Sequence, residues 1–276
     1  MLTLTRGADS LVVAPESGGA IMGWSRGGRD VLHRGGPGAA CFPLVPYANR
    51  IALRRFAWNG ETYELAPNFG DHPHAIHGVG WKSHWTIESH AEDHAILSLT
   101  HDPSIHWPFA FAARLTYRFD PLGLTIEMEA ANQHVGPAPM GLGVHPYFPR
   151  TPDAAIAFRA DGVFFNDRTA LPVRHGPVPP AWSHAAGRAV DREPLDNCFT
   201  GWDGVVTIPG LRIEAAPVFG DLQVYTPVDK KFFCVEPVSH VPDAINRTCP
   251  EGQAMTILAP GETRRGAIRF LPEAAG

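Results

Sequence analysis

An all-β fold, a large antiparallel β-sandwich with very little helix, follows from three observations on the sequence. Apolar residues recur with a period of two over long stretches, which places one face of a strand in a core and the other toward water. No segment of a dozen residues carries apolar positions at i, i+3, i+4 and i+7 between caps, so the strand–helix alternation of a parallel α/β sheet is absent. Glycine and proline number 28 and 27 among 276 residues. That is about a fifth of the chain, well above their usual combined share, and it implies many turns.

Taken in order, the elements are short and punctuated by turns. Arg55–Trp58 and Thr62–Leu65 flank Asn59-Gly60, a pair that tolerates the positive φ of a tight type I′ hairpin. Strands are expected at 84–89 and 94–100. Phe111, Ala113, Leu115, Tyr117 and Phe119 then alternate with Ala112, Arg114, Thr116 and Arg118, and a second alternating set runs through Leu122, Leu124, Ile126, Met128 and Ala130. Asp120-Pro-Leu-Gly123 between them supplies the turn, so the two runs form an antiparallel hairpin. The stretch 166–194, broken by Pro172, Gly176, Pro177, Pro179, Pro180 and Gly187, reads as an excursion loop. Further strands are expected at 204–208, 211–215, 221–226, 231–236, 254–258 and 265–271, spaced like a sandwich. The whole length, 1–276, reads as one domain without internal repeats.

Charge and composition narrow the function. There are 23 Lys and Arg against 28 Asp and Glu, a formal net charge of −5, with no basic run. A nucleic-acid partner needs a basic stripe to displace counterions, so none is expected. No apolar window reaches the ~18 residues of a membrane span and no basic-then-apolar leader opens the chain, so no membrane partner and a cytoplasmic location are expected. Cys41, Cys198, Cys234 and Cys249 show no C-x-x-C spacing and read as reduced, structural thiols.

Five turn-rich apolar segments hold polar residues that look out of place. The first, Cys41 to Ile51, contains Arg50, a donor fork suited to a hydroxylated or anionic ligand, or a capping group. The second runs from His72 to Trp81 with His72, His74 and His77. In a strand or loop these rings diverge and no Cys or Asp pattern completes a site, so hydrogen bonding to a polar ligand is the better reading and no metal is expected. In the third, Gly141 to Pro149, His145 stands between Gly143-Val and Pro146 at a strand end. The fourth, Leu195 to Trp202, contains Asp196, a residue type that readily starts a turn. In the fifth, Glu236 closes the apolar run Phe232–Val235, where burial raises a carboxyl pKa toward that of a general base.

Taken together these segments resemble the aldose 1-epimerase family, the galactose mutarotase-like enzymes. The phrases that carry the resemblance are Pro-Tyr-Ala-Asn-Arg-Ile ending at Ile51, Ile-His-Gly around His77, His-Pro-Tyr-Phe from His145, Asp-Asn-Cys-Phe from Asp196, Val-Glu-Pro around Glu236 with Pro-Asp-Ala-Ile-Asn to Asn246, and Pro260-Gly-Glu262. The resemblance implies a galactose mutarotase-like supersandwich that interconverts the α and β anomers of a free aldose. It makes Glu236 the general base and His145 the general acid, with Arg50, His77 and Asp196 holding the sugar. No cofactor is implied; the expected partner is a monosaccharide substrate, and the chain is expected as monomer or homodimer. The motifs depart from the family at Ala48, Val79 and Pro149-Arg150, which leaves the preferred sugar open.

Three other functions fit parts of the same pattern. A glycoside hydrolase would use Asp196 and Glu236 as its carboxylate pair. A sugar-binding or sensing sandwich would keep the pocket without catalysis. A phosphosugar epimerase would add cationic groups such as Arg54, Arg55 or Arg150. Trp81 is either an apolar face for the sugar ring or a core residue.

Overall fold

The computed structural model describes residues 1–35, 38–190, 193–249 and 253–273. Among these the chain forms two large antiparallel sheets, and its helical content is limited to 3₁₀ turns of three residues each, at Ala52–Arg54, Gly80–Lys82, Pro180–Trp182 and Ala244–Asn246. The expected all-β class is therefore observed.

The smaller sheet has seven strands and is built around the hairpin read from the alternation. Phe111–Asp120 pairs with Gly123–Asn132 over its whole length, from Phe111 opposite Asn132 to Asp120 opposite Gly123, and Asp120 Oδ1 accepts the backbone N–H groups of Leu122 and Gly123. Leu122 is thereby in the turn and 60% exposed, not in the core where the alternation places it. His94–His101 and Thr86–His90 extend one side, and Thr263–Pro272, Leu211–Ala215 and Val205–Ile208 the other.

The larger sheet has eleven strands and starts with a meander of Leu2–Arg6, Asp9–Ala14 and Ala20–Arg26 that sequence patterning does not single out. Its strands carry polar residues inward. Asp9 is buried because its carboxylate accepts the Trp24 Nε1–H at 2.9 Å and lies 3.5 Å from Arg26. From Ala20–Arg26 the order continues through Cys41–Leu44, Gly143–Pro149, Phe232–Val238, Asp221–Tyr225 and Asp196–Thr200 to Gly162–Asn166 and the edge strand Pro172–Pro177. That edge strand corrects the reading of 166–194 as a loop. Proline cannot donate to a ladder but is tolerated at an edge, where the N–H side has no partner strand to serve. Arg188–Ala189 likewise pairs with Ala155–Ile156, and residues 191 and 192 of that stretch lie outside the described residues.

The sheets pack face to face through one apolar core. Trp24 of the large sheet meets Phe119 and Phe270 of the small one at ring centroid distances of 5.9 and 6.2 Å, and the Tyr117 hydroxyl donates to the Gly19 carbonyl at 2.6 Å. Alternation in the central strands of the large sheet then decides everything on its other face. Val144 and Phe148, Phe233 and Val235, and Leu222 and Val224 join the core, while His145 and Tyr147, Cys234 and Glu236, and Gln223 and Tyr225 point away from it.

The second polar segment is folded over that outer face by a tight turn. His77 and Gly78 both have positive φ, 62° and 70°, and a Cβ on Gly78 would stand 2.3 Å from the Val45 carbonyl oxygen. That oxygen accepts the N–H groups of both Val79 and Gly80. Gly78→Ala is expected to destabilise the protein by about 1–3 kcal/mol, the usual cost of a forced backbone conformation, which urea denaturation would register as a lower midpoint with an unchanged slope.

Candidate active site

The floor of the site is the pairing of Gly143–Pro149 with Phe232–Val238, in which Gly143 stands opposite Val238 and Tyr147 opposite Cys234. His145 and Glu236 lie between those pairs, on the same face. His145 Nε2 is 3.3 Å from Glu236 Oε1, and both side chains are almost fully buried. Among the described residues, Glu236 Oε2 and His145 Nδ1 have no hydrogen-bond partner. Burial pushes the Glu236 carboxyl well above its ordinary range, Asp196 adding to this and Arg50 opposing it. Burial also pushes His145 down to about 3, its own backbone opposing and Arg50 contributing. Both shifts penalise the charged form. A carboxylic acid beside a neutral imidazole and a carboxylate beside an imidazolium hold the same single proton, so the two groups titrate as one unit.

Arg50, His77 and Asp196 converge on this pair from three other segments. Arg50 Nη2 donates to Asp196 Oδ2 at 3.2 Å and Nη1 to Asn49 Oδ1 at 3.1 Å, while Gln223 Nε2 donates to Asp196 Oδ1 at 2.7 Å. Both Asp196 oxygens are thus engaged. The Asn49 backbone N–H donates to His77 Nδ1 at 3.2 Å, so the neutral His77 ring carries its proton on Nε2. His77 stays neutral because burial, together with the nearby His145, Arg50 and His72, pushes its pKa well down. Its ring meets that of His145 edge to face at 5.2 Å.

The segment that carries Arg50 has little ladder of its own, only Arg50–Ile51 against Ala75–Ile76. Single backbone bonds at Pro46, Asn49 and Arg50 and a set of side chains hold it in place. The N–H of Arg50 donates to Asn49 Oδ1, that of Ala52 to Asp243 Oδ1, and that of Leu53 to His74 Nδ1, each at 2.9 Å. His74 and His77 thus accept from different backbone groups, while His72 Nδ1 accepts the His74 N–H at 3.2 Å and its ring meets that of His74 edge to face at 5.3 Å. Among the described residues, ligand-type atoms gather instead at His145, Cys234 and Glu236, within 4.8 Å of one another. Burial keeps the Cys234 thiol far above its usual pKa, with Glu236 and Asp196 reinforcing it. All four cysteines are free.

These groups open onto a cleft of about 380 Å³, at the small end of ligand sites. Phe42, Trp81, Tyr147, Tyr225 and Phe232 wall it. Trp81 stacks on Phe42 at 5.4 Å, and Tyr147 stacks on the His145 ring at 4.6 Å. Trp81 is thus core and cleft wall at once. Arg54, Arg55 and Arg150 do not line the cleft; Arg54 and Arg150 donate to backbone carbonyls elsewhere. Among the described residues, the cations that do line it are Arg50 and Lys230, each beside a carboxylate, Asp196 at 3.2 Å and Asp229 at 3.3 Å. Sequence reasoning did not single out Asn49, Gln223, Tyr225 or Lys230. The alternation of Asp221–Tyr225 could have pointed to Gln223 and Tyr225, since an apolar strand with a polar alternate face is otherwise unexplained there.

Comparison with known proteins shows the family and the fold. The family model for aldose 1-epimerase matches residues 1–271. The uncharacterised protein YphB of Escherichia coli K12 is 33% identical over 281 residues, which cover 95% of this chain and 94% of that protein. A crystal structure from Escherichia coli K12, provisionally described as an aldose 1-epimerase, has a TM-score of 0.89 at 32% identity and covers 99% of this chain and 98% of its own. A galactose mutarotase-like protein from Clostridium acetobutylicum shares the fold with a TM-score of 0.84 at 18% identity, over 99% and 95% of the two chains.

The buried imidazoles predict how stability responds to acid. His77 sits well below its ordinary pKa of 6.5, and burial pushes His184 and His240 to about 4. Below pH 6.5 and above about 4, His184 and His240 are mostly neutral when folded and protonated when unfolded, and the lowered pKa of His77 acts in the same direction. Burial raises Asp221 to about 7 and also raises Asp243, both of which work in the opposite direction, and the Glu236–His145 pair cancels because it holds one proton in either state. The unfolded chain therefore binds more protons, and stability falls as pH drops through this window. Urea midpoints should decrease from pH 6.5 to 4.5; a flat or rising midpoint would contradict the neutral-imidazole assignment.

Proposed function

The chain belongs to the aldose 1-epimerase family, and from that premise we propose that it interconverts the α and β anomers of a free aldose through Glu236 and His145. The observation that carries this reading is the 3.3 Å approach of a buried carboxyl and a buried imidazole at the floor of a small cleft.

Anomerisation needs a proton removed from the C1 hydroxyl and another delivered to the ring oxygen. The carboxylate form of Glu236 takes the hydroxyl proton as the imidazolium form of His145 gives its proton to the ring oxygen. The C1–O5 bond breaks while the C1=O1 bond forms. The pair is left as carboxylic acid and neutral imidazole, the state that burial favours. Rotation about C1–C2 presents the other face of the aldehyde; O5 then attacks C1, its proton returns to His145, and Glu236 returns its own to O1. The pair carries one proton at each stage and the sugar's O1 or O5 the other, so the cycle balances without a further reactant. Positioned proton transfer of this kind typically contributes 10²–10⁴-fold.

Arg50, Asp196 and the His77 Nε2–H would fix the sugar hydroxyls so that C1 and the ring oxygen meet the pair. The engagement of both Asp196 oxygens supports positioning over the acid–base duty that a hydrolase would require. The carboxylate beside each lining cation favours an uncharged aldose over a phosphorylated one.

Saturation-transfer NMR of anomer exchange across galactose, glucose, arabinose, xylose and one 6-phosphate tests the activity directly. Glu236→Gln and His145→Asn should each lower kcat by about 10²-fold or more while sugar still binds, and the double variant should be little worse than the poorer single one. Exchange at the wild-type rate in Glu236→Gln would leave the sugar-binding reading as the better account. Asp196→Asn should raise KM without moving a limiting pKa of kcat; a moved pKa would favour the hydrolase arrangement. Activity should also survive a chelator, and its loss with recovery on added zinc would instead assign His145, Cys234 and Glu236 to a metal.

A further inference from the structure

Four residues beyond Glu236, one side chain joins three segments of the site. The Ala48 backbone N–H donates to His240 Nε2 at 3.0 Å, and His240 Nδ1 donates to the Val241 carbonyl at 2.8 Å. The ring is buried and lies against Gly141, where a Cβ would come within 2.2 Å of His240 Cδ2 and 2.3 Å of Nε2. The neighbouring Ser239 locks the same junction: its hydroxyl accepts the Leu142 N–H at 2.8 Å, and its own N–H donates to the Leu142 carbonyl at 2.9 Å.

We propose that His240 is a positioning residue for the reaction, acting through Arg50. The argument rests on the function proposed above and on three spacings. Ala48 is two residues before Arg50, Gly141 four before His145, and His240 four after Glu236. One imidazole thus joins the donor-fork segment to the strands of the proton-transfer pair, alongside the direct bond from the Gly141 N–H to the Pro46 carbonyl at 2.6 Å. The tie adds to a ladder only two residues long and to single backbone bonds at Pro46, Asn49 and Arg50, and it reaches Ala48, between them. Val241 requires the proton on Nδ1, which leaves Nε2 an acceptor for Ala48, and burial keeps the ring in this neutral form. The side chain that would obstruct the ring is missing at Gly141.

Two amide substitutions separate positioning from mere support. Gln places its amide near the position of Nε2 and can still accept from Ala48; Asn places it near Nδ1 and cannot reach. His240→Asn should raise KM and lower kcat/KM about tenfold or more, since small misplacements of binding groups are costly, with the pH profile of kcat unchanged. His240→Gln should retain most of the wild-type value. In an Arg50→Ala background, His240→Asn should cost little more, because the two then act on one lost interaction. Equal losses in the Asn and Gln variants, or an undiminished loss in the Arg50→Ala background, would overturn the proposal. Nitrogen-15 spectra of histidine-labelled wild-type protein should show the Nδ1–H tautomer for His240, and an Nε2–H tautomer would also overturn it without any variant. If no aldose were turned over, the epimerase reading would fail by itself, and dissociation constants of the same proteins for galactose would decide the His240 assignment; no binding at all would overturn both.

Discussion

The adjacency of Gly143–Pro149 and Phe232–Val238 at the middle of the larger sheet is the constraint on which the site depends. Two central strands, each buried on one face by the second sheet, have only the other face for function. Alternation sends Glu236 and His145 to that face together, and the ladder sets their separation more rigidly than a loop could. The same position desolvates them. Buried side by side, with little exposed surface between them, they gain from sharing one proton and lose from carrying two charges. A pair in that condition is poised to exchange a proton in either direction, which is what an anomer exchange requires.

The groups around the pair obey a different rule. Arg50 and its neighbours sit on backbone that forms almost no sheet, and a buried N–H without a partner is costly. Three imidazoles, an asparagine side chain and an aspartate supply the missing acceptors. Neutral histidine suits this task because one ring nitrogen accepts while the other still donates, and His240 uses both. The consequence reaches beyond local geometry: acceptors that protonate in acid tie the shape of the cleft to pH, and the left-handed backbone at Asn49, Leu53 and Arg54 is held where it would otherwise relax.

Much of this was legible in the sequence where the signal is local. The hairpins at Asn59-Gly60 and at 120–123 were readable because turn chemistry and period two act over a few residues. The meander at the N-terminus and the edge strand Pro172–Pro177 were not, since polar residues such as Asp9 and prolines at the strand ends break the alternation while partners elsewhere in the fold make them tolerable.

By itself, then, the sequence determined the all-β class, the longest hairpins and the identity of five polar residues set in apolar, turn-rich segments. Their motifs specify chemistry because carboxyl, imidazole and guanidinium differ intrinsically. Only the tertiary structure decided that these five, separated by as many as 186 positions between Arg50 and Glu236, face one cleft. It also decided that Asp196 is spoken for by Arg50 and Gln223, that Arg54, Arg55 and Arg150 lie elsewhere, and that His240 reaches Ala48. Strand order, and with it every contact between distant segments, arises from packing two sheets around a shared core, and no local pattern encodes which strands become neighbours.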